Sequence, residues 1–190
     1  PGSRLPEDTL FTWQSPPLRD MLPLLEKPSQ NQIAEALLRT LGTLRGVASV
    51  DSGRSVVRET LTGWGIPEDA YVYVDGSGLS RYNYVAPEAI AAVLAGIARH
   101  PDFSAFYDAL PIAGVDGTVG SRMRGTAAEN NLRAKTGSIA NVRSLSGYVT
   151  TLDGEQLIFV MLANHFTVPS RVVTRVQDFV GERLANFSRR

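Results

Sequence analysis

The 190-residue chain contains no cysteine and only two histidines, His100 and His165. Disulfide bonds, thiolate catalysis and cysteine-ligated metal sites are therefore excluded for these residues. Neither histidine stands in a metal-ligand spacing, and no Gly-x-Ser-x-Gly elbow that would suit a Ser-His-Asp triad accompanies them. The composition therefore gives no reason to expect a metal ion or another cofactor.

Clustered charge of one sign is also missing, because the chain has 19 basic and 19 acidic residues. The arginines are spread along the sequence, so we expect neither a nucleic-acid partner nor a polybasic membrane anchor. No apolar run approaches the roughly 20 residues of a membrane span. The opening PGSRLPEDT lacks the charged start and apolar segment of a signal peptide, and it is typical of a linker or a cut in a longer protein.

The pattern that is present favours an α/β protein of the α+β type. Apolar periodicity predicts helices over 18–27, 28–42, 52–65, 87–100 and 103–110, and a last one after Pro169. Strands are predicted over 9–15, 71–75, 144–152 and 156–164, with a hairpin at Asp153-Gly154, and a further strand is predicted to carry Lys135. The last helix shows one apolar stripe, formed by Val172, Val173, Val176, Phe179, Val180, Leu184 and Phe187. An antiparallel sheet with this C-terminal helix packed on it, beside an all-helical region, satisfies the pattern.

Lysine is scarce as well, since the chain has two lysines against 17 arginines. Lys135 precedes Thr136, Gly137 and Ser138 in the stretch RAKTGSIANVRSLSGYV (133–149). An ammonium group beside two hydroxyls, on a strand that glycine leaves accessible, can hold a carboxylate by charge-assisted hydrogen bonds. A lysine on an edge strand is more often simply solvated, so this motif alone does not establish a site.

A second motif, Ser29-Gln30-Asn31, stands at the start of a predicted helix. Its simpler interpretation is a helix N-cap. The alternative is a hydroxyl that relays a proton beside an amide that binds a substrate carbonyl. The two motifs together favour the alternative, because elements of this kind belong to the signature set of β-lactamases and penicillin-binding proteins.

Over nearly its whole length the sequence resembles the low-molecular-mass, class C penicillin-binding proteins, the D-Ala-D-Ala carboxypeptidase/endopeptidase family S13. The stretches that carry the resemblance are WQSPPLRDML, SQNQIAEALLRTLG, DGSGLSRYNYVAP, LPIAGVDGTVGSRM and AKTGSIANVRSLSGYV. Of these, DGSGLSR (75–81) separates the family from most other serine acyl transferases. The resemblance implies part of a penicillin-binding, β-lactamase-like transpeptidase fold.

The resemblance also implies catalytic roles for three residues. Ser29 would pass a proton towards the leaving amine, and Asn31 would hold the substrate amide. Lys135 would supply positive charge and, with Ser29, tune proton transfer. Asp75 and Ser77 have a simpler expected role, which is to shape the turn before Leu79.

For substrate binding, the resemblance implies a carboxylate site and a side-chain pocket. Thr136 and Ser138, with Gly137 between them, would bind the terminal carboxylate of D-Ala-D-Ala or of a β-lactam. The backbone N–H of Ile139 would be one oxyanion-hole donor. The pocket for the peptide-stem side chain would be lined by Leu79 and Arg81, and Arg81 would suit a carboxylate such as that of diaminopimelate.

The family's first motif, the Ser-x-x-Lys that carries the acylated serine, does not occur in this chain. Leu24 stands three residues before Lys27, and Leu132 stands three residues before Lys135. In the family the nucleophile lies N-terminal, before inserted domains, so residues 1–190 are predicted to be the C-terminal part of a penicillin-binding domain. The expected partners are an N-terminal fragment of the same protein, peptidoglycan stem peptides ending in D-Ala-D-Ala, and β-lactams.

The expected function is that of a serine-type D-alanyl-D-alanine carboxypeptidase, with endopeptidase activity left open. The substrate implies an extracytoplasmic location, in the periplasm or on the cell-wall side. A β-lactamase or esterase would use the same chemistry, whereas a relative that binds muropeptides or β-lactams without turnover belongs to a different class. A Ser-x-x-Lys motif upstream would distinguish an enzyme from a binding protein.

Overall fold

The computed structural model describes residues 11–189. The predicted strand over 9–15 is wrong where it can be checked, because residues 11–15 belong to no strand of the described chain. Phe11 and Trp13 are 82% and 84% exposed. A strand needs a neighbour for its backbone hydrogen bonds, and alternation in the sequence does not supply one. Residues 9 and 10 lie outside the described part.

The predicted helices are confirmed, with small shifts at their ends. In the described part of the chain they are α1 (Leu18–Glu26), α2 (Asn31–Gly42), α3 (Val50–Gly63), α4 (Pro87–Ala98), α5 (Phe103–Ala109) and α6 (Ser170–Ala185). α2 and α3 pack so closely that a Cβ at Gly53 would collide with the Leu38 carbonyl oxygen. This contact fixes the helix that begins with the Ser-x-Asn motif against its neighbour.

Two antiparallel sheets are present among the described residues. The small one pairs β1 (Tyr71–Val72) with β2 (Tyr84–Val85), so the strand predicted over 71–75 is shorter than expected. The larger one has the order β3-β4-β5, with β3 (Arg133–Ile139), β4 (Val142–Thr150) and β5 (Gln156–Asn164). The predicted Asp153-Gly154 hairpin joins β4 to β5, and Gly154 takes the left-handed conformation with φ 81°. The motif lysine therefore lies on a strand at the edge of this sheet.

The larger sheet lies between α6 on one side and the helical region on the other. Its α6 side forms a core around Leu132, Ala134, Leu145 and Val149. On the other side Tyr148 is fully buried with Leu94 and Leu110, and its hydroxyl donates to the Leu94 carbonyl oxygen at 2.8 Å. Burial raises the pKa of Tyr148 to about 12.

The apolar stripe predicted on α6 is only partly buried. The residues that α6 buries fully are Gln177, Gly181 and Ala185, whereas Val172, Val176, Phe179 and Phe187 are 40–58% exposed. A Cβ at Gly181 would lie 2.8 Å from Leu132 Cδ1. The helix approaches the sheet through small residues, which a hydrophobicity pattern does not reveal. Within residues 11–189, no helix combines the length and the apolar character needed to cross a membrane.

Candidate active site

The two sequence motifs meet in the folded chain. Lys135 Nζ, on β3, donates a hydrogen bond to Ser29 Oγ at 2.6 Å, although the residues are 106 positions apart. The same Nζ donates to the Thr136 carbonyl oxygen at 3.0 Å. Because the Ser29 hydroxyl accepts from the lysine, its own proton remains available for a third group.

Ser29 is not a helix cap, which excludes the simpler interpretation of its motif. The N-cap of α2 is Gln30, and no side chain bonds the helix N-terminus there. Ser29 has φ 61°, a left-handed conformation that costs a non-glycine residue about 1–2 kcal/mol. This backbone turn directs the hydroxyl to Lys135 instead. Asn31 is the exposed first residue of α2.

Glu26, the last residue of α1, is the second charged group at this site, beside Lys135. Burial lowers the pKa of Lys135, and the negative charge of Glu26 partly opposes that shift. Conversely, burial raises the pKa of Glu26, and the positive charge of Lys135 partly opposes it. Each group therefore stabilises the charged form of the other in a desolvated setting. Sequence reasoning missed Glu26, since a glutamate at a helix end is usually solvated.

The open edge of β3 faces away from β4 and presents backbone groups of alternate residues. Ala134 donates its N–H to the Pro111 carbonyl oxygen at 3.0 Å, on the side away from β4. Since successive N–H groups of a strand point to opposite edges, those of Thr136 and Ser138 also point to the open edge. The N–H of Ile139 points towards β4, where this residue pairs with Val142.

The expectation that Ile139 supplies an outward oxyanion donor is therefore wrong. Ser138, whose side chain is exposed, carries the outward N–H at the end of this edge. The error has a simple cause, because a shift of one residue along a strand reverses the edge to which an N–H points. The sequence does not show which edge of β3 is paired.

Gly137 and Thr136 have structural contacts that the sequence did not predict. A Cβ at Gly137 would collide with the hydroxyl of Ser144, its partner across the strand pair. Thr136 Oγ1 donates to Thr118 Oγ1 at 2.8 Å, in a loop that precedes β3. The glycine therefore keeps a neighbouring strand close, in addition to leaving the strand accessible.

The DGSGLSR stretch forms a turn organised by Asp75, as expected. The Asp75 carboxylate accepts from the backbone N–H of Gly78 at 2.8 Å and of Ser80 at 2.7 Å. Ser77 donates its N–H to Glu35 Oε1 of α2 at 2.9 Å, so the turn is bonded to the helix that begins with the Ser-x-Asn motif.

The predicted side-chain pocket residues lie on the exposed part of this turn. Leu79 is 53% exposed, and Arg81 is exposed as well. No hydrogen bond or ion pair in the described part of the chain joins either residue to Ser29 or Lys135. Their assignment to a substrate pocket stays a prediction.

A cavity of about 440 Å³ opens beside the site. Lys135 and Thr136 contribute to its lining, most of which is aromatic or aliphatic, including Tyr71, Tyr84 and Ile90. Across residues 11–189, no group of three or more His, Asp or Glu side chains is arranged to hold a metal ion. The site therefore combines a desolvated ammonium–hydroxyl pair with an adjoining, largely apolar space.

Comparisons with known proteins identify relatives of this chain. Two curated relatives are a D-alanyl-D-alanine carboxypeptidase DacB of Haemophilus influenzae, 38% identical over 80% of this chain, and a D-alanyl-D-alanine carboxypeptidase of an Actinomadura strain, 37% identical over 95% of it. This chain spans about a third of their length, 33% and 34% respectively.

Among solved structures, penicillin binding protein 4 of H. influenzae, complexed with a β-lactam, matches with a TM-score of 0.80 and 33% identity. The match covers 90% of this chain and 42% of that one. A predatory peptidoglycan endopeptidase of Bdellovibrio bacteriovorus, 20% identical with a TM-score of 0.66, shares the fold. The family model of the D-Ala-D-Ala carboxypeptidase 3 (S13) family matches residues 3–185. The chain belongs to the D-Ala-D-Ala carboxypeptidase 3 (S13) family.

Proposed function

We propose that these 190 residues are the C-terminal part of a serine-type D-alanyl-D-alanine carboxypeptidase that β-lactams acylate. The observation that carries the proposal is the 2.6 Å hydrogen bond between Lys135 Nζ and Ser29 Oγ, which joins two family motifs across the fold. The names of the curated relatives and the β-lactam bound to the H. influenzae protein support it.

In the proposed reaction, a serine from the N-terminal part of the complete protein gives its proton to the lysine of the same Ser-x-x-Lys motif and attacks the carbonyl carbon of the D-Ala-D-Ala peptide bond. The C–N bond breaks and an acyl-enzyme forms. The departing amine takes the hydroxyl proton of Ser29. Lys135 then gives a proton to Ser29 Oγ along the hydrogen bond that joins the two residues. Water then attacks the acyl carbon. Its hydroxyl leaves with the shortened peptide, its proton restores the serine hydroxyl, and the lysine of the Ser-x-x-Lys motif returns its proton to Lys135.

Substrate binding would use the open edge of β3. The outward N–H of Ser138 would serve as an oxyanion donor. The Ser138 hydroxyl would donate to the terminal carboxylate, and so would the Thr136 hydroxyl once it turns away from Thr118. Lys135 adds positive charge to the same site, and Asn31, at the start of α2, would hold the substrate amide. A lysine suits this arrangement better than an arginine, because a desolvated ammonium can release its proton whereas a guanidinium cannot.

The proposed substrate also implies where the complete protein acts and which stem peptide it prefers. Peptidoglycan lies outside the cytoplasm, so the complete protein would act in the periplasm or on the cell-wall side. Arg81 would favour a stem side chain that carries a carboxylate, and cleavage of cross-linked stems would add endopeptidase activity.

A labelled penicillin tests the proposal directly. The complete protein should become covalently labelled, and peptide mapping should place the label on a serine of an upstream Ser-x-x-Lys motif. The 190-residue chain alone should stay unlabelled, since it lacks that motif. Labelling of the isolated chain would refute the assignment of the nucleophile to the N-terminal part. A complete protein that binds penicillin reversibly, without a covalent product, would instead be a non-catalytic binding protein.

The pH dependence of acylation should respond to Glu26. The carboxylate raises the pKa of Lys135, so Glu26→Gln removes a stabiliser of the ammonium form and should lower that pKa further. The limb of the pH–rate profile that reports Lys135 should therefore move to lower pH. Stopped-flow acylation between about pH 5 and 11 measures it, with Glu155→Gln, in the turn just before β5, as control. An unmoved or upward-shifted limb would contradict the pairing.

A further inference from the structure

The second lysine of the chain, Lys27, lies two residues before Ser29. Its Nζ donates to Asp116 Oδ2 at 2.7 Å and to the Leu110 carbonyl oxygen at 3.1 Å. Lys27 directly follows α1, so these bonds fix the chain immediately before the left-handed turn that presents the Ser29 hydroxyl.

The loop that carries Asp116 is bonded to β3 on both sides of the motif lysine. Near its start, the Pro111 carbonyl oxygen accepts from the Ala134 N–H at 3.0 Å. Near its end, Thr118 Oγ1 accepts from Thr136 Oγ1 at 2.8 Å. The loop therefore has a defined position relative to the Lys135 ammonium group, and Lys27 connects the Ser29 turn to that loop.

Besides the ion pair, the segment at Lys27 and the loop that carries Asp116 pack closely against each other. Asp116 uses its second oxygen to accept from the Ile112 N–H at 3.0 Å, so its carboxylate is oriented by two donors. Gly117, with φ 60°, lies against the backbone of Lys27. A Cβ there would be 2.9 Å from the Lys27 carbonyl oxygen and 2.8 Å from Pro111 Cβ. The two segments are therefore in direct backbone contact beside the ion pair.

Stability is a weak explanation for this ion pair. The side chains of Lys27 and Asp116 are 24% and 36% exposed, and ion pairs that solvent reaches contribute little to folding. The position of a catalytic hydroxyl has a far larger effect, because displacing it by about 1 Å can lower the reaction rate about a hundredfold.

We propose that Lys27 and Asp116 are positioning residues that hold the Ser29 hydroxyl within hydrogen-bond distance of Lys135 Nζ. Neither residue touches the reacting atoms. They connect the turn before α2 to the loop before β3, so that proton transfer between Ser29 and Lys135 needs no rearrangement. This inference rests on the proposed function, because the labelled-penicillin reaction is its readout.

The test compares Lys27→Met with Arg122→Met in the complete protein. Arg122 and Asp178 form an ion pair of the same length, 2.7 Å, with 13% and 21% exposure, between a loop and α6. Lys27→Met should lower the rate constant of the acylation step roughly 10- to 100-fold while leaving the dissociation constant of the preceding complex within about threefold. Arg122→Met should lower the thermal midpoint at least as much, yet acylate at the parent rate.

A double-mutant cycle gives a second readout. If the pair acts as one unit, Lys27→Met combined with Asp116→Asn should be no slower than the slower single variant. The inference fails if Lys27→Met acylates at the parent rate, or if Arg122→Met slows acylation equally, since stability would then explain the loss. A parent protein that no penicillin labels would overturn the proposed function, and the inference with it.

Discussion

Replacing Lys135 by alanine in the complete protein should slow acylation by a labelled penicillin by at least about a hundredfold, the range of a lost proton-transfer group. The change removes the donor to Ser29 Oγ and the positive charge at the carboxylate site. The rate constant of acylation, measured with excess penicillin, reports the loss. Arg175→Ala, which removes an exposed cation on α6, is the matched control and should acylate at the parent rate.

Lys135→Arg separates charge from proton transfer at the same position. Arginine keeps the positive charge but cannot release its proton, and its planar fork differs in shape from a compact ammonium group. We expect this variant to bind penicillin reversibly while acylating nearly as slowly as the alanine variant. Acylation at the parent rate would show that positive charge alone is required and would refute the proton relay.

The protonation of Lys135 also affects folding. Burial holds its pKa below the ordinary lysine value, so the unfolded chain binds more protons in the interval between the folded and unfolded pKa values. Through this residue, stability rises with pH across that interval, and the desolvation penalty is largest below the folded pKa. A loss of acylation in Lys135→Ala is therefore not expected to reflect a loss of an ion pair that stabilises the fold.

Ser29→Gly and Ser29→Ala should both slow acylation by about a hundredfold or more, because each removes the relay hydroxyl. Their stabilities should differ. Ser29 has φ 61°, which glycine adopts without a steric penalty and alanine does not. The glycine variant should therefore be more stable than the alanine variant by about 1 kcal/mol.

The thermal midpoints of the two variants report their stabilities, and their acylation rate constants report the loss of the hydroxyl. If both variants are inactive and the glycine variant is the more stable, then Ser29 is needed for its hydroxyl although its left-handed backbone conformation favours glycine. Equal or greater stability of the alanine variant would contradict the left-handed turn. Retained acylation in either variant would refute the role of the hydroxyl, whatever the stabilities.

The local structure around the site could be predicted from periodicity and turn residues. The helix behind Ser29, the strand of Lys135 and the Asp153-Gly154 hairpin each follow from short stretches of sequence. The strand predicted over 9–15 is wrong for residues 11–15, because an alternation of apolar and polar residues does not show whether a neighbouring strand exists. The burial of α6 was only partly foreseen, because close packing through Gly181 and Ala185 leaves no hydrophobic pattern.

The sequence by itself determined the two motifs, their order, the absence of Ser-x-x-Lys and the family resemblance. Only the tertiary structure decided that Lys135 donates to Ser29, that Glu26 shares their desolvated setting, and that Ser138 rather than Ile139 presents its N–H outward. The physical reason is the same in each case. Hydrogen bonds, burial and strand edges depend on neighbours up to 106 residues away, and no local pattern specifies those neighbours.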